Sequence, residues 1–316
     1  MLPPDFHWTT YLLLNPDVAQ ASLTKSFAES HYRKYGSREK RKYKSYHPSM
    51  IFDWKFYIFH NQELKFLKNE EQAFRHYFLT GRKKTYLNNA NRIILINYLI
   101  DRYQFKSYLE IGCEKDLCFN AVRAEHKVGV DPIEGGTHRM TSDEFFSTNT
   151  ETFDIIFIDG LHWSEQVFRD ITNSLKSLNQ GGIIVVHDCN PPEEEYNLYP
   201  RPLEQKEWNG DVWKAFISFR QDPDLDMVTG NFDWGCGVIR VLPNTNQLVL
   251  EKPPFSLTYA DFERNRKTWL RLLTFDQLIL WLDKGDSVLK TLTSSQQDQD
   301  TLDEKEIVNF PKPDLK

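Results

Sequence analysis

Apolar positions change their spacing along this chain of 316 residues. Near the start, Trp8 and Tyr11 lie three apart, as do Trp54 and Tyr57, the spacing of one helical face. Beyond residue 86, helical patterns alternate with short unbroken apolar runs that end in glycine or an acid. Runs at 108–112, 127–131, 153–159 and 183–186 predict strands. The run at 153–159 is apolar on both faces and is expected at the centre of a parallel sheet. Helices are predicted over 88–103, 164–178 and within 257–284, and a short further strand near 139–141. This alternation predicts an α/β fold: a doubly wound, mostly parallel sheet, Rossmann-like, with an antiparallel closing strand after Asp233-Trp234-Gly235. The expected division is a small all-α repeat region at 1–85, a main domain at 86–290, and a disordered Gln/Asp-rich tail at 291–316.

The front of the chain repeats itself. Phe6, Trp8, Tyr11 and Asn15 recur as Phe52, Trp54, Tyr57 and Asn61 at an offset of 46. Ala28, His31, Tyr32 and Gly36 recur as Ala73, His76, Tyr77 and Gly81 at an offset of 45. Each copy predicts a helical hairpin with packed aromatics and a glycine stop. The duplicated His31 and His76 are expected as enclosed histidines bonded to backbone, in preference to metal ligands. The unit resembles a short Trp/Tyr-His-Tyr-Gly repeat found beside enzymes of surface-polysaccharide synthesis. That resemblance implies docking of residues 1–85 to a glycan or a glycan-synthesis partner, or pairing of chains.

Composition narrows the class. Apolar residues are 40% and charged residues 27%, a globular balance. No stretch approaches the roughly 18 apolar residues of a membrane span. With Asp5 and His7 near its start, the chain shows no signal-peptide pattern, so a cytoplasmic protein is expected. Four cysteines without CxxC spacing suggest a reducing compartment and no structural zinc. Residues 1–90 hold 15 basic against 8 acidic side chains, and the rest 24 against 37. That basic front on an acidic body suggests two modules with different partners, and the acidic body disfavours a nucleic-acid substrate.

The candidate chemistry lies at the predicted carboxyl ends of the strands. Asp131 stands 19 residues past Gly112, about the spacing at which an acid grips ribose hydroxyls. The turn Gly112-Cys113-Glu114-Lys115-Asp116 has one glycine where a dinucleotide fingerprint has three, and two acids that would repel a pyrophosphate. A cationic nucleoside such as S-adenosylmethionine suits it better. Asp159 and Asp188, at the ends of neighbouring strands, could share one Mg2+ ion, with Asn190 as a neutral third ligand. His162, three residues past Asp159, and His187, next to Asp188, are the histidines beside these acids. The polar segment 191–209 is expected as a substrate lid, with Trp208 or Trp213 stacking on a sugar and Asp211 capping the next helix.

The motifs Tyr108-Leu109-Glu110-Ile111-Gly112, Val128-Gly129-Val130-Asp131, Ile158-Asp159-Gly160-Leu161-His162 and Gly181-Gly182-Ile183-Ile184-Val185-Val186-His187-Asp188 together resemble a Rossmann-like S-adenosylmethionine-dependent methyltransferase. Within that class they are similar to metal-dependent O-methyltransferases of the catechol and macrolide-sugar types. The resemblance covers about 105–192, and implies metal-ligand positions at Asp159, Asp188 and Asn190, with His162 as general base and His187 supporting the metal or touching substrate. It also implies cofactor contacts from Glu110, Gly112, Asp131, Ser142, Asp143 and Asp159. The expected function is O-methylation of a sugar hydroxyl, in a nucleotide sugar or at a glycan end. Methylation of a phenol or catechol stays open, as does a docking protein with an inactive methyltransferase body.

Overall fold

The computed structural model describes residues 1–84 and 86–284, so the expected tail lies outside the described residues. The first repeat copy is α1 (Trp8–Leu14), α2 (Pro16–Ala21) and α3 (Lys25–His31), running into a π-helical turn at Tyr32–Gly36. The second copy is α4 (Trp54–His60) and α5 (Glu70–Leu79), with short 3-10 turns at Gln62–Leu64 and Gly81–Lys83. The repeated residues make the same contacts twice. Tyr11 Oη lies 2.9 Å from His31 Nδ1, and Tyr57 Oη 2.8 Å from His76 Nδ1. The amides of Asn15 and Asn61 donate back to the Tyr11 and Tyr57 carbonyls. A Cβ on Gly36 or Gly81 would stand 2.5 or 2.2 Å from the same tyrosine oxygen. The histidines therefore bond a phenol, not the backbone as expected, and the glycine is needed because the phenol occupies a side chain's place. Trp8 packs edge-on against Phe74 at 5.0 Å, joining the copies in one core.

The main unit begins with α6 (Arg92–Tyr103), β1 (Ser107–Ile111), α7 (Leu117–Ala121), β2 (His126–Val130) and α8 (Ser142–Thr148). It continues with β3 (Phe153–Ile158), α9 (Ser164–Lys176), β4 (Leu178–Val186), α10 (Val212–Phe219), β5 (Leu225–Gly230) and β6 (Cys236–Val241). It closes with α11 (Tyr259–Leu270), β7 (Leu272–Leu273) and α12 (Phe275–Lys284). The seven strands are ordered β2-β1-β3-β4-β6-β5-β7. β6 alone runs antiparallel to its neighbours, β4 and β5. This is the mixed, mostly parallel Rossmann-like sheet that the alternation predicts. Alternate residues of the central strands enter two cores. Leu109, Ile156 and Ile184 face Ile171, Phe216 and Phe262, while Tyr108, Phe157 and Val185 face Leu95, Leu99 and Trp281. Burial on both faces is why these strands lack polar alternation.

Local boundaries differ from expectation for identifiable reasons. α6 starts at Arg92 because the Asn91 side chain accepts from the Ile94 amide and caps it. β4 begins at Leu178, ahead of the glycine pair, with Gly181 taking φ +79°. Near 139–141 there is no strand, only a single bridge between Val130 and His138. No helix among the described residues is long and apolar enough to cross a membrane.

The repeat contact makes a testable prediction. Gly81→Ala should destabilise the protein by about 1–3 kcal/mol through overpacking. In a Tyr57→Phe background, where the oxygen it meets is gone, the same change should cost clearly less. Urea unfolding of the four proteins measures this, and equal costs in both backgrounds would contradict the contact.

Candidate functional site

Gly112 ends β1 with φ +89°, and a Cβ there would lie 2.2 Å from the Asp159 carbonyl. Only glycine lets the β1 turn lie so close to the end of β3. Before it, Glu110 is buried and accepts from the Tyr108 hydroxyl. Burial, with the Asp159 charge adding, pushes the Glu110 carboxyl up to about 8 despite that bond. Beyond β2, Asp131 Oδ1 accepts from the Ile133 and Glu134 amides, and Oδ2 from Glu114. Burial pushes Asp131 up, but these amides outweigh it and hold the carboxyl below its usual range. The same bonds tie the glycine turn to the turn after β2.

Past the ends of β3 and β4, Asp159, His162, His187 and Asp188 meet. His162 Nε2 lies 3.2 Å from Asp188 Oδ2 and 3.5 Å from Asp159 Oδ1. His187 Nδ1 is 3.1 Å from both Asp159 Oδ1 and Asp188 Oδ2. Arg92, the first residue of α6, places Nη1 2.5 Å from His187 Nε2 and 3.3 Å from Asp233 Oδ2. Burial would lower the His187 imidazole pKa, but the Asp159 and Asp188 charges outweigh it and hold it well above its usual value. Burial would raise the Asp159 carboxyl, but His187, His162 and Arg92 prevail and hold it far below its usual range.

The end of the 191–209 loop fixes His162. The Trp208 carbonyl accepts from His162 Nδ1 at 3.0 Å, and its ring stacks on the imidazole at 4.7 Å. With Nδ1 protonated, Nε2 faces the carboxylates. Three acceptor atoms, one each from Asp159, His162 and Asp188, then lie within 4.8 Å of one another. Such an arrangement needs positive charge among them, either a proton on Nε2 or a cation. Asn209 is fully buried and donates Nδ2 to Asp188 Oδ1 at 2.6 Å. Asp211 does not cap its own helix, α10. It accepts from the Ser164 amide and hydroxyl at the start of α9.

Several expected site residues are placed elsewhere. Asn190 Oδ1 accepts from the buried Arg266 guanidinium at 2.6 Å, so a cation already holds the oxygen expected to bind metal. Trp213 is 0% exposed and stacks on Phe262 at 4.5 Å, which rules out a sugar contact. His187, by contrast, stays in the cluster but is buried, enclosed by Asp159, Asp188, Asp233 and Arg92. Ser142 and Asp143 begin α8 and are held by Gln166 and Arg169 of α9, with Thr141 as the cap. Arg92, Asn209 and Asp233 complete the cluster without having been singled out for it. Asn209 ends the polar segment and Asp233 opens the Asp233-Trp234-Gly235 turn, both noted from sequence, whereas Arg92 carried no local signal.

Residues 98–189 match the family model described as a methyltransferase domain. The chain contains a methyltransferase domain. The matched stretch includes Glu110, Gly112, Asp131, Asp159, His162, His187 and Asp188, while Arg92, Asn209 and Asp233 lie outside it. No curated protein matches the chain. Among solved structures, cofactor-bound Rv0187 from MTB is similar at 16% identity, covering 54% of this chain and 96% of its own, with a TM-score of 0.38. The O-methyltransferase TomG from Streptomyces achromogenes, in complex with SAM, is similar at 15% identity, covering 61% and 100%, with a TM-score of 0.35. MycE methyltransferase, in complex with Mg, SAH and mycinamycin VI, is similar at 14% identity, covering 60% and 67%, with a TM-score of 0.32. Likeness at this level does not extend to substrate or chemistry.

Glu110 within the methyltransferase domain sets a pH dependence. Its folded value of about 8 lies above the ordinary 4.5, so the folded state binds the extra proton between those values. Its contribution to stability is complete below about 4.5 and is lost as pH rises through about 8. Glu110→Gln should flatten that decline, gaining on the wild type as pH increases across the window. Denaturation midpoints from pH 5 to 9 measure it, and parallel curves would contradict the assignment.

Proposed function

We propose that the protein is an S-adenosylmethionine-dependent O-methyltransferase of a sugar hydroxyl, in a nucleotide sugar or at a glycan end. It uses a divalent cation, Mg2+, and His162 as general base. The observation that supports this is the convergence of Asp159, Asp188 and His162 Nε2 within 4.8 Å, inside a methyltransferase domain. Two carboxylates fit a hard cation, and Asp159 and Asp188 would hold it. Glu110, Gly112 and Asp131, at the ends of β1 and β2, would hold the cofactor.

S-adenosylmethionine held by Glu110, Gly112 and Asp131 would supply an activated methyl group, with its sulfur as the leaving group, to the acceptor oxygen. A divalent cation held by Asp159 and Asp188 would lower the pKa of the acceptor hydroxyl. His162 takes that hydroxyl's proton at Nε2, because its Nδ1 proton is committed to the Trp208 carbonyl. Asp188 and Asp159 then stabilise the imidazolium that forms. Tyr199, 42% exposed, carries the stack of His162 and Trp208 on at 6.2 Å and itself stacks on Trp163 at 5.6 Å, so an aromatic wall stands beside the site where a sugar would lie. The resemblance of the repeats to those beside polysaccharide enzymes favours the same acceptor class. Residues 1–85 would then dock to a glycan-synthesis partner.

The test is turnover with S-adenosylmethionine and a panel of nucleotide sugars, with Mg2+ or with EDTA, read as methylated product by mass spectrometry. Asp159→Ala and Asp188→Ala should each abolish Mg2+-dependent turnover, and His162→Ala should lower kcat by about 10²–10⁴-fold. Asp131→Ala should mainly raise the KM for the cofactor. Undiminished turnover in both aspartate variants would overturn the metal-assisted mechanism.

A further inference from the structure

The last helix of the second repeat copy, α5, turns its acids inward. Glu70 Oε2 accepts from the Trp8 indole at 2.9 Å, and Glu71 Oε1 from the Lys25 amide at 3.1 Å, both donors lying in the first copy. Glu63, the remaining acid between residues 62 and 84, lies beside the Tyr86 hydroxyl. Ala73, Phe74 and Tyr77 fill the repeat core. The outward side of the helix is left to Gln72, Arg75 and Leu79, spaced three and four apart and so on one face. Lys68 stands four before Gln72, and its amide donates to Gln72 Oε1 at 2.7 Å. Arg82 follows Leu79 by three, so the stripe runs past both ends of the helix.

Bases and apolar tips alternate along this stripe. Lys65, Lys68, Arg75, Arg82 and Lys83 are exposed, and none is paired with an acid among the described residues. Lys68 Nζ donates to the Lys65 carbonyl, and Arg82 lies over the Phe78 ring at 4.9 Å. Between the first two lysines Phe66 is 64% exposed, and Leu79 is 51% exposed. Single exposed apolar residues are ordinary on a surface. Here the duplication supplies a comparison, because the first copy carries Gln20 and Lys34 at the matching positions, 46 and 45 residues earlier. The repeat's own packing therefore does not demand apolar side chains at either place.

We propose that the outer face of α5, with the turn that holds Lys65 to Lys68, docks on an anionic lipid surface. Phe66 and Leu79 enter the headgroup layer, and the five bases meet lipid phosphates. The two tips stand at opposite ends of α5, whose ten residues span about 15 Å, with bases between them. A protein pocket would gather such tips into one patch. A fluid lipid layer admits them singly, while long Lys and Arg stems reach the headgroups. This is attachment to a surface and adds a location to the proposed activity without resting on it.

The test is co-sedimentation of the full chain with vesicles of phosphatidylcholine alone or with phosphatidylglycerol added. The protein should bind only the anionic vesicles, and less tightly as salt rises. Phe66→Ser with Leu79→Ser should weaken binding by roughly tenfold or more, the scale of lost apolar insertion. Lys65→Gln with Lys68→Gln should also weaken it by roughly tenfold. Lys34→Gln with Arg38→Gln removes the same charge from the first copy and should cost clearly less. Thermal melts confirm that each variant folds, since every change is at an exposed position. No binding to the anionic vesicles would overturn the proposal. Equal losses from the two charge pairs would assign binding to net charge and overturn this face. Salt-sensitive binding that ignores the Phe66 and Leu79 changes would point to a soluble acidic partner and overturn the lipid surface.

Discussion

Three carboxylates around one buried imidazole set the terms for the catalytic end of this protein. Asp159, Asp188 and Asp233 all lie within 3.6 Å of a His187 ring nitrogen. Like charges held so close in a dry site are tolerated only with compensation, and each surrounding element contributes some. α6 supplies Arg92 at its first residue, and the turn before β6 supplies Asp233, which also accepts from the Arg92 backbone amide. Asp188, Asp233 and Trp234 sit at positive φ, a conformation costly for residues with a Cβ. Backbone bonds from Cys189 to Gly235 and from Asn190 to Trp234 hold that geometry. The sheet ends are thus shaped by the need to assemble these charges, more than by packing.

The repeats reach this region through the stretch that joins their two copies. Tyr46 lies under the Arg266 guanidinium at 4.2 Å, and Arg266 bonds Asn190 and the Pro191 carbonyl. His47 sets its ring edge-on to Trp234 at 4.8 Å. Lys42, Lys44 and Lys55 face Glu193, Glu263 and Asp276 of the main unit. Exposed pairs such as these contribute little individually. The buried Arg266, with its aromatic and carbonyl partners, is the stronger anchor. Part of the charge asymmetry along the sequence is therefore internal complementarity between front and body, rather than a sign of separate partners.

The loop over 191–209 plays a different part from the one its polarity suggests. Its end closes on the site from one side, with the Trp208 carbonyl fixing the His162 tautomer and Asn209 touching Asp188. Trp208 meets His162 directly, while Trp213, five residues on, is sealed in the core under Phe262 and Trp269. Two tryptophans equally suggestive in sequence thus separate into a site wall and a core residue.

The sequence by itself determined the strand–helix alternation, the repeat, and the positions of Asp159, His162 and Asp188. These rest on local rules: apolar runs bury on both faces of a parallel sheet, and strand ends gather polar residues. Tertiary structure alone decided the company those residues keep. Asn190 and Asn209 are both asparagines beside proline or glycine turns, and only packing shows that one faces Arg266 and the other Asp188. Arg92 gave no sign of its role, because a helix start looks alike whether it meets water or three carboxylates. Hydrogen-bond partners distant in sequence depend on how whole elements dock, and no local spacing encodes that.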